Sequence, residues 1–113
     1  MSNYINHLKP NQIFVFGSNK DGIHAGGAAK QAFLDFGAIY GIGFGLQGQS
    51  YAIPTMEISL EKIGHYITKF IEYARLTPDK EYLVTAIGTG IAGFRPEDID
   101  PYWINLPANV IRV

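Results

Sequence analysis

Residues 12–16, Gln12-Ile13-Phe14-Val15-Phe16, hold four bulky β-branched or aromatic residues in succession. A run of that kind, without polar alternation, reads as a strand buried in the middle of a sheet. The next segment narrows the choice further. Residues 17–30, GSNKDGIHAGGAAK, place four glycines, an asparagine, an aspartate and a histidine between that strand and a helix. The helix is expected over residues 24–36, with Ala28, Ala29, Ala32, Phe33 and Phe36 on one face and Gly37 as its stop.

The rest of the chain continues the alternation. Residues 40–50, YGIGFGLQGQS, carry too much glycine for a regular element. Tyr51-Ala52-Ile53 reads as a short strand ended by Pro54. Glu57 to Arg75 is the clearest helix, with Ile58, Ile63, Tyr66, Ile67, Phe70, Ile71 and Ala74 as its apolar stripe and Thr77-Pro78 as its end. Tyr82 to Ile87 reads as a strand, GTGIAGF as a second glycine-rich loop, Pro96 to Trp103 as a short helix and Asn109 to Val113 as a last strand. Alternating strands and helices point to an α/β fold with a mostly parallel sheet and helices on its faces.

Size and composition fit one such domain spanning residues 1–113. Hydrophobic residues make up 47%, enough for a real core, and charged residues only 17%. The net charge is −1 and no Lys or Arg run occurs, so a nucleic-acid footprint is missing. There is no cysteine, which excludes disulfides, thiol catalysis and cysteine-type zinc sites. The polar N-terminus has no signal-peptide core and no apolar stretch is long enough to span a bilayer, so the expectation is a cytoplasmic protein without a membrane partner. No spacing of histidines and carboxylates suits a metal, and no cofactor is expected.

Ligands of open α/β sheets bind beyond the carboxyl ends of the strands. Glycine-rich loops leave two of the expected strands, after Phe16 and after Ile87, and both belong at that edge. Glycine lets backbone N–H groups approach an anion, and a helix N-terminus adds unpaired N–H groups and partial positive charge. HAGGAAK suits one phosphate at the start of the first helix, and GTGIAGF suits a nest of amides around another. Each glycine run also has a plainer reading as a tight turn. The G-x-G-x-x-G fingerprint is not cleanly present, since GIGFGLQG precedes a strand, and no Gly-Lys-Ser/Thr phosphate loop occurs, which disfavours Rossmann-type and kinase-type nucleotide enzymes.

These segments resemble the ligand loops of macrodomains, the ADP-ribose-binding α/β/α modules. Asn19 matches that family's asparagine after a hydrophobic strand, His24 its histidine, and Ala25-Gly26-Gly27 its glycine run, with alanine first. Gly88-Thr89-Gly90-Ile91-Ala92-Gly93-Phe94 is similar to its diphosphate loop, and the segment ending Pro54-Thr55 stands where the family has its central strand ending in His-Thr. The ordered trio covers residues 12 to about 95 and most resembles the very short macrodomain-like proteins of phages and prophages. The resemblance implies a three-layer α/β/α fold with a mostly parallel mixed sheet, in a minimal version lacking the N-terminal strand-helix unit. It implies ligand contacts from Asn19, His24, Ala25, Gly26, Gly27, Ala28, Thr55, Gly88, Thr89, Gly90, Ile91, Ala92, Gly93 and Phe94. Two departures stand out. The aspartate that reads adenine has no counterpart, and Ala92 replaces the aromatic residue over the terminal ribose, leaving Tyr40, Phe44 or Phe94 to cover that face.

The resemblance and the loops leave two function classes. One is a binding module for ADP-ribose, a relative of it or a cyclic nucleotide signal, which sequesters the nucleotide or recognises ADP-ribosyl groups. The other is a hydrolase that removes ADP-ribose from proteins or processes ADP-ribose-1″-phosphate or O-acetyl-ADP-ribose, with Asp21 or His24 handling the proton. A structural phage protein with a vestigial pocket is the blandest alternative. Each residue also has a structural role to weigh: Asn19 can close its own turn, His24 can cap a helix, and Asp21 can be a solvated loop carboxylate. Thr89 can hold its loop, His65 belongs to the surface of the long helix, and Asp98 and Asp100 to a solvated helix start. Trp103, with Pro101, Tyr102 and Leu106, reads as core or as a base-stacking platform. Short strands with edges to protect make a homodimer a further expectation.

Overall fold

A computed structural model describes residues 7–19, 21–23, 27–56, 58–87 and 94–113. Five strands form one mixed sheet: β1 (Gln12–Asn19), β2 (Gly45–Gln47), β3 (Ser50–Met56), β4 (Glu81–Val84) and β5 (Val110–Arg112). Their order is β2-β3-β1-β4-β5, so the strand with the longest apolar run lies at the centre. β1 runs parallel to β3 and to β4, β4 runs parallel to β5, and β2 alone is antiparallel, beside β3. The helices are α1 (Gly27–Asp35), α2 (Leu60–Arg75) and α3 (Pro96–Ile99), the last running into a 3-10 turn at Asp100–Tyr102.

The pleat of β1 divides the core. Phe14 and Phe16 pack with Ala32, Phe36, Ala38 and Ala52 on the α1 side. Ile13 and Val15 point the other way, into a cluster with Tyr51, Ile53, Tyr82 and Val84 that is capped by α2 and by Ile99 of α3. Successive side chains of a strand face opposite sides, so an unbroken apolar run demands helices on both faces. All four residues are at most 3% exposed.

The long helix begins at Leu60 rather than in the 57–59 region, because Ser59 is its N-cap and accepts a hydrogen bond from the Lys62 N–H at 3.2 Å. Ile63, Ile67, Phe70, Ile71 and Ala74 of its stripe are buried, and Tyr66 is half-buried. Its end is secured by Thr77, whose hydroxyl donates to the Tyr73 carbonyl at 2.9 Å, and by Asn109. The Asn109 Nδ2 donates to the carbonyls of Ala74, Thr77 and Lys80.

Four expectations need correction. Pro54 does not end its strand; β3 continues to Met56. β2 pairs only with Ser50–Ala52, so at Pro54 the strand has β1 alone as a neighbour and loses nothing by lacking an N–H on its other side. The glycine-rich stretch 40–50 contains β2, joined to β3 by a two-residue Gly48-Gln49 turn in which Gly48 takes φ +59°. β4 stops at Val84, although the Thr85 N–H still donates to the Val15 carbonyl at 3.1 Å. Phe33 is 42% exposed and touches Tyr40 edge-on, since α1 seats on the sheet through its alanines.

No helix among the described residues is long and apolar enough to cross a membrane.

Candidate functional site

The parallel strands β1, β3 and β4 release their chains at one edge of the sheet. The loop after β1 leads to α1 on one face, whereas β3 and β4 lead to α2 and α3 on the other. The edge beside β1 is therefore a topological switch point, the place where open α/β sheets form a crevice. The chain leaves that edge from two neighbouring strands, β1 and β4, which are in register from Gln12↔Glu81 to Val15↔Val84. Thr85 ties the exit of β4 to the middle of β1, its hydroxyl donating to the Val15 carbonyl at 2.8 Å.

The first loop is built tightly. The Asn19 side chain closes it on both sides, Oδ1 accepting from the Ile23 N–H and Nδ2 donating to the Ile23 carbonyl, each at 2.9 Å. The Gly22 N–H donates to the Asn19 carbonyl at 3.1 Å, and the Gly22 carbonyl accepts from the Gly41 N–H at 2.8 Å. Gly22 takes φ +68°, and any Cβ there would collide with backbone atoms of Gly41 and Ile42. Asn19 thus performs the turn-closing role its residue type favours. One hydrogen on Nδ2 and further acceptor capacity on Oδ1 remain for a ligand.

The segment that receives Gly22 is itself clamped. Gln47, 2% exposed, accepts the Ile39 N–H through Oε1 at 2.7 Å and donates Nε2 to the Ile42 carbonyl at 2.8 Å. Below it, Gly37 and Gly48 approach so closely that a Cβ on Gly48 would stand 2.9 Å from the Gly37 Cα. Gly22, Gln47 and Thr85 are structural supports of this edge that sequence reasoning did not single out. The signal for Gln47 was the first amide side chain in an uncharged, glycine-rich stretch.

The other expected site residues divide between described and undescribed positions. Thr55 is buried at the end of β3, its hydroxyl donating to the Ser18 carbonyl at 3.2 Å, which fixes the β3 exit against β1. Gly27 opens α1 at φ +58°, and an added Cβ would meet none of the described residues within 4 Å. Ala28 is half-buried against the α1-side core and Phe94 half-buried against the α2-side core. Asp21 is exposed in the first loop. His24, Ala25, Gly26, Gly88, Thr89, Gly90, Ile91, Ala92 and Gly93 lie outside the described residues.

Several alternatives resolve in favour of structure. Trp103 is buried, 5.9 Å edge-on from Phe70, with the Arg112 guanidinium 5.4 Å from its ring centroid, so it serves the core. His65 is exposed on α2, and Asp98 accepts the Arg95 N–H at 3.1 Å as part of the α3 start. Asp100 pairs with Arg112 at 2.8 Å. Phe44 packs on Tyr66 and Tyr51 with ring centroids 4.8 and 5.9 Å away. Burial, reinforced by the neighbouring Tyr73 and Tyr82, pushes the Tyr51 phenol well above its ordinary value. Among the described residues no cluster of three His, Cys, Asp or Glu could hold a metal ion.

Comparisons of the chain with protein-family models, with curated proteins and with solved structures find no match.

Proposed function

We propose that this protein binds an ADP-ribose-type nucleotide at the carboxyl edge of its sheet, with the diphosphate held between the loops after β1 and β4. The observation that carries the reading is the switch-point topology, which sends the chain from two adjacent parallel strands toward opposite faces. The resemblance of residues 12–95 to macrodomains supports the same ligand class. The position of Gly27, at the first turn of α1, supports an anion contact through backbone N–H groups.

In this reading the described residues divide the labour. Asn19 and Gly22 hold the first loop in one shape, so little ordering entropy is spent on binding. Thr55 and Thr85 keep the exits of β3 and β4 pressed against β1. The N-terminal N–H groups of α1 carry partial positive charge to the phosphate, which a protein of net charge −1 otherwise lacks.

Calorimetric titration with ADP-ribose, cyclic ADP-ribose and AMP tests the proposal; absence of heat with all three removes it. Gly27→Glu is expected to abolish binding while Gly27→Ala retains most of it. Both variants share the strain of a side chain at φ +58°, so the carboxylate accounts for the difference. Gly90→Glu is expected to match Gly27→Glu. Incubation with ADP-ribose-1″-phosphate and with a mono-ADP-ribosylated protein separates binder from hydrolase. Turnover that Asp21→Asn abolishes would move the reading to hydrolysis.

A further inference from the structure

The two ends of the sheet are finished differently. β5 ends in Arg112, which bonds Asp100 at 2.8 Å and covers Trp103, so that edge carries charge, a feature that discourages strand addition. β2 forms the other end of the described sheet and carries none. Residues 36–56, which contain β2 and its flanks, include no Asp, Glu, Lys, Arg or His, in a chain with 19 Asp, Glu, Lys and Arg residues from its 9 basic and 10 acidic ones. Large apolar side chains stand out on both sides of this edge. Leu46 lies opposite Tyr51 in register, so Leu46, 48% exposed, and Phe44, 38% exposed, flank the strand on the α2 side. Phe33 and Tyr40, 42% and 58% exposed and in ring contact, flank it on the α1 side.

We infer that the β2 edge is the interface for a second copy of this chain, with β2 pairing antiparallel to its counterpart about Leu46 and extending the sheet across a two-fold axis. An unpaired strand edge asks for another strand, and apolar flanks above and below supply the burial that three residues of ladder cannot. The choice of partner rests on charge. Near a two-fold axis each residue meets its own copy, so a charged residue there repels itself, whereas a neutral stretch meets itself at no electrostatic cost. A charged peptide, a nucleic acid or an anionic membrane surface would find no complementary group along this edge. The inference is independent of the proposed nucleotide site.

The test is the particle mass by light scattering or sedimentation, at concentrations up to about 100 μM, where a dimer of micromolar affinity is populated. The wild-type protein is expected to contain two chains per particle. Leu46→Lys and Leu46→Glu are each expected to give single chains with unchanged far-UV circular dichroism, the changed side chain being half exposed. Mixing the two variants in equal amounts is expected to restore the two-chain particle, because lysine then faces glutamate across the axis. A single-chain wild type, dimers that survive both substitutions, or a mixture that stays single-chain would each overturn the inference.

Discussion

On the α2 side of the sheet, a sixteen-residue helix lays an isoleucine and phenylalanine stripe across side chains from β1, β3, β4 and β5. On the α1 side, a nine-residue helix buries Ala32 and rests otherwise on half-buried alanines. The first side is held by apolar mass. The second has a smaller core, built on Phe14, Phe16 and Phe36, and adds backbone contacts and polar clamps: Gly22 on Gly41 and Ile42, Asn19 on Ile23, and Gln47 on Ile39 and Ile42. With the larger apolar cluster on the α2 side, the α1 side depends more on these local contacts for its loop shape.

Substitutions probe this contrast in order of size. Phe70 is fully buried and touches the rings of Tyr51, Tyr82 and Trp103. Phe70→Ala should cost about 3–5 kcal/mol in chemical denaturation, as truncations of large core aromatics do. A loss below about 1 kcal/mol would erase the claim that the α2 side bears the fold.

Gln47→Ala comes next. It removes the Gln47 amide from the Ile39 N–H and the Ile42 carbonyl and opens a void, for a loss of about 2–3 kcal/mol. The distinguishing readout is local. Hydrogen exchange should accelerate at the amides of residues 22–23 and 39–42 well before it does in α2. Uniform acceleration throughout the chain would mean that the two sides unfold as one and that the contrast has no energetic content.

The smallest effect at neutral pH belongs to Tyr51→Phe. The native phenol holds its proton more tightly than the unfolded one, whose ordinary value is 10.0, chiefly because it is buried. Its stabilising contribution is therefore complete below about pH 10 and is lost as pH rises above that value. Tyr82 is raised in the same direction. Denaturation midpoints measured from pH 8 to pH 11 should fall less steeply for Tyr51→Phe than for the wild-type protein. Parallel curves would remove Tyr51 from the alkaline transition.

Much of this architecture is legible in residue order. A continuous apolar run has to be a central strand, a stripe at three- and four-residue steps has to be a helix with one buried side, and their alternation implies a parallel sheet whose loops share an edge. The misreadings occur where a residue's neighbours outweigh its intrinsic preference. Pro54 is tolerated inside β3 because β2 has already ended, and Gly45-Leu46-Gln47 becomes a strand because Ser50–Ala52 lies alongside to receive it. The first depends on where the two strands beside β3 end, which its own residues do not show; the second is a tight hairpin that the glycine content of residues 40–50 disguised.

The same division governs the candidate site. The sequence by itself determined that two glycine-rich segments follow strands of an α/β sheet, because glycine content and apolar periodicity are local properties. Residue type already offered Asn19 a turn-closing role, but only the tertiary structure decided that Gly22 is required by the backbone of Gly41 and Ile42 and that Gln47 is a buried clamp rather than a surface residue. The Gly22 role arises from the close approach of two segments far apart in the chain, and the Gln47 role from a loop folded back over its strand; such partners exist only once those segments have met.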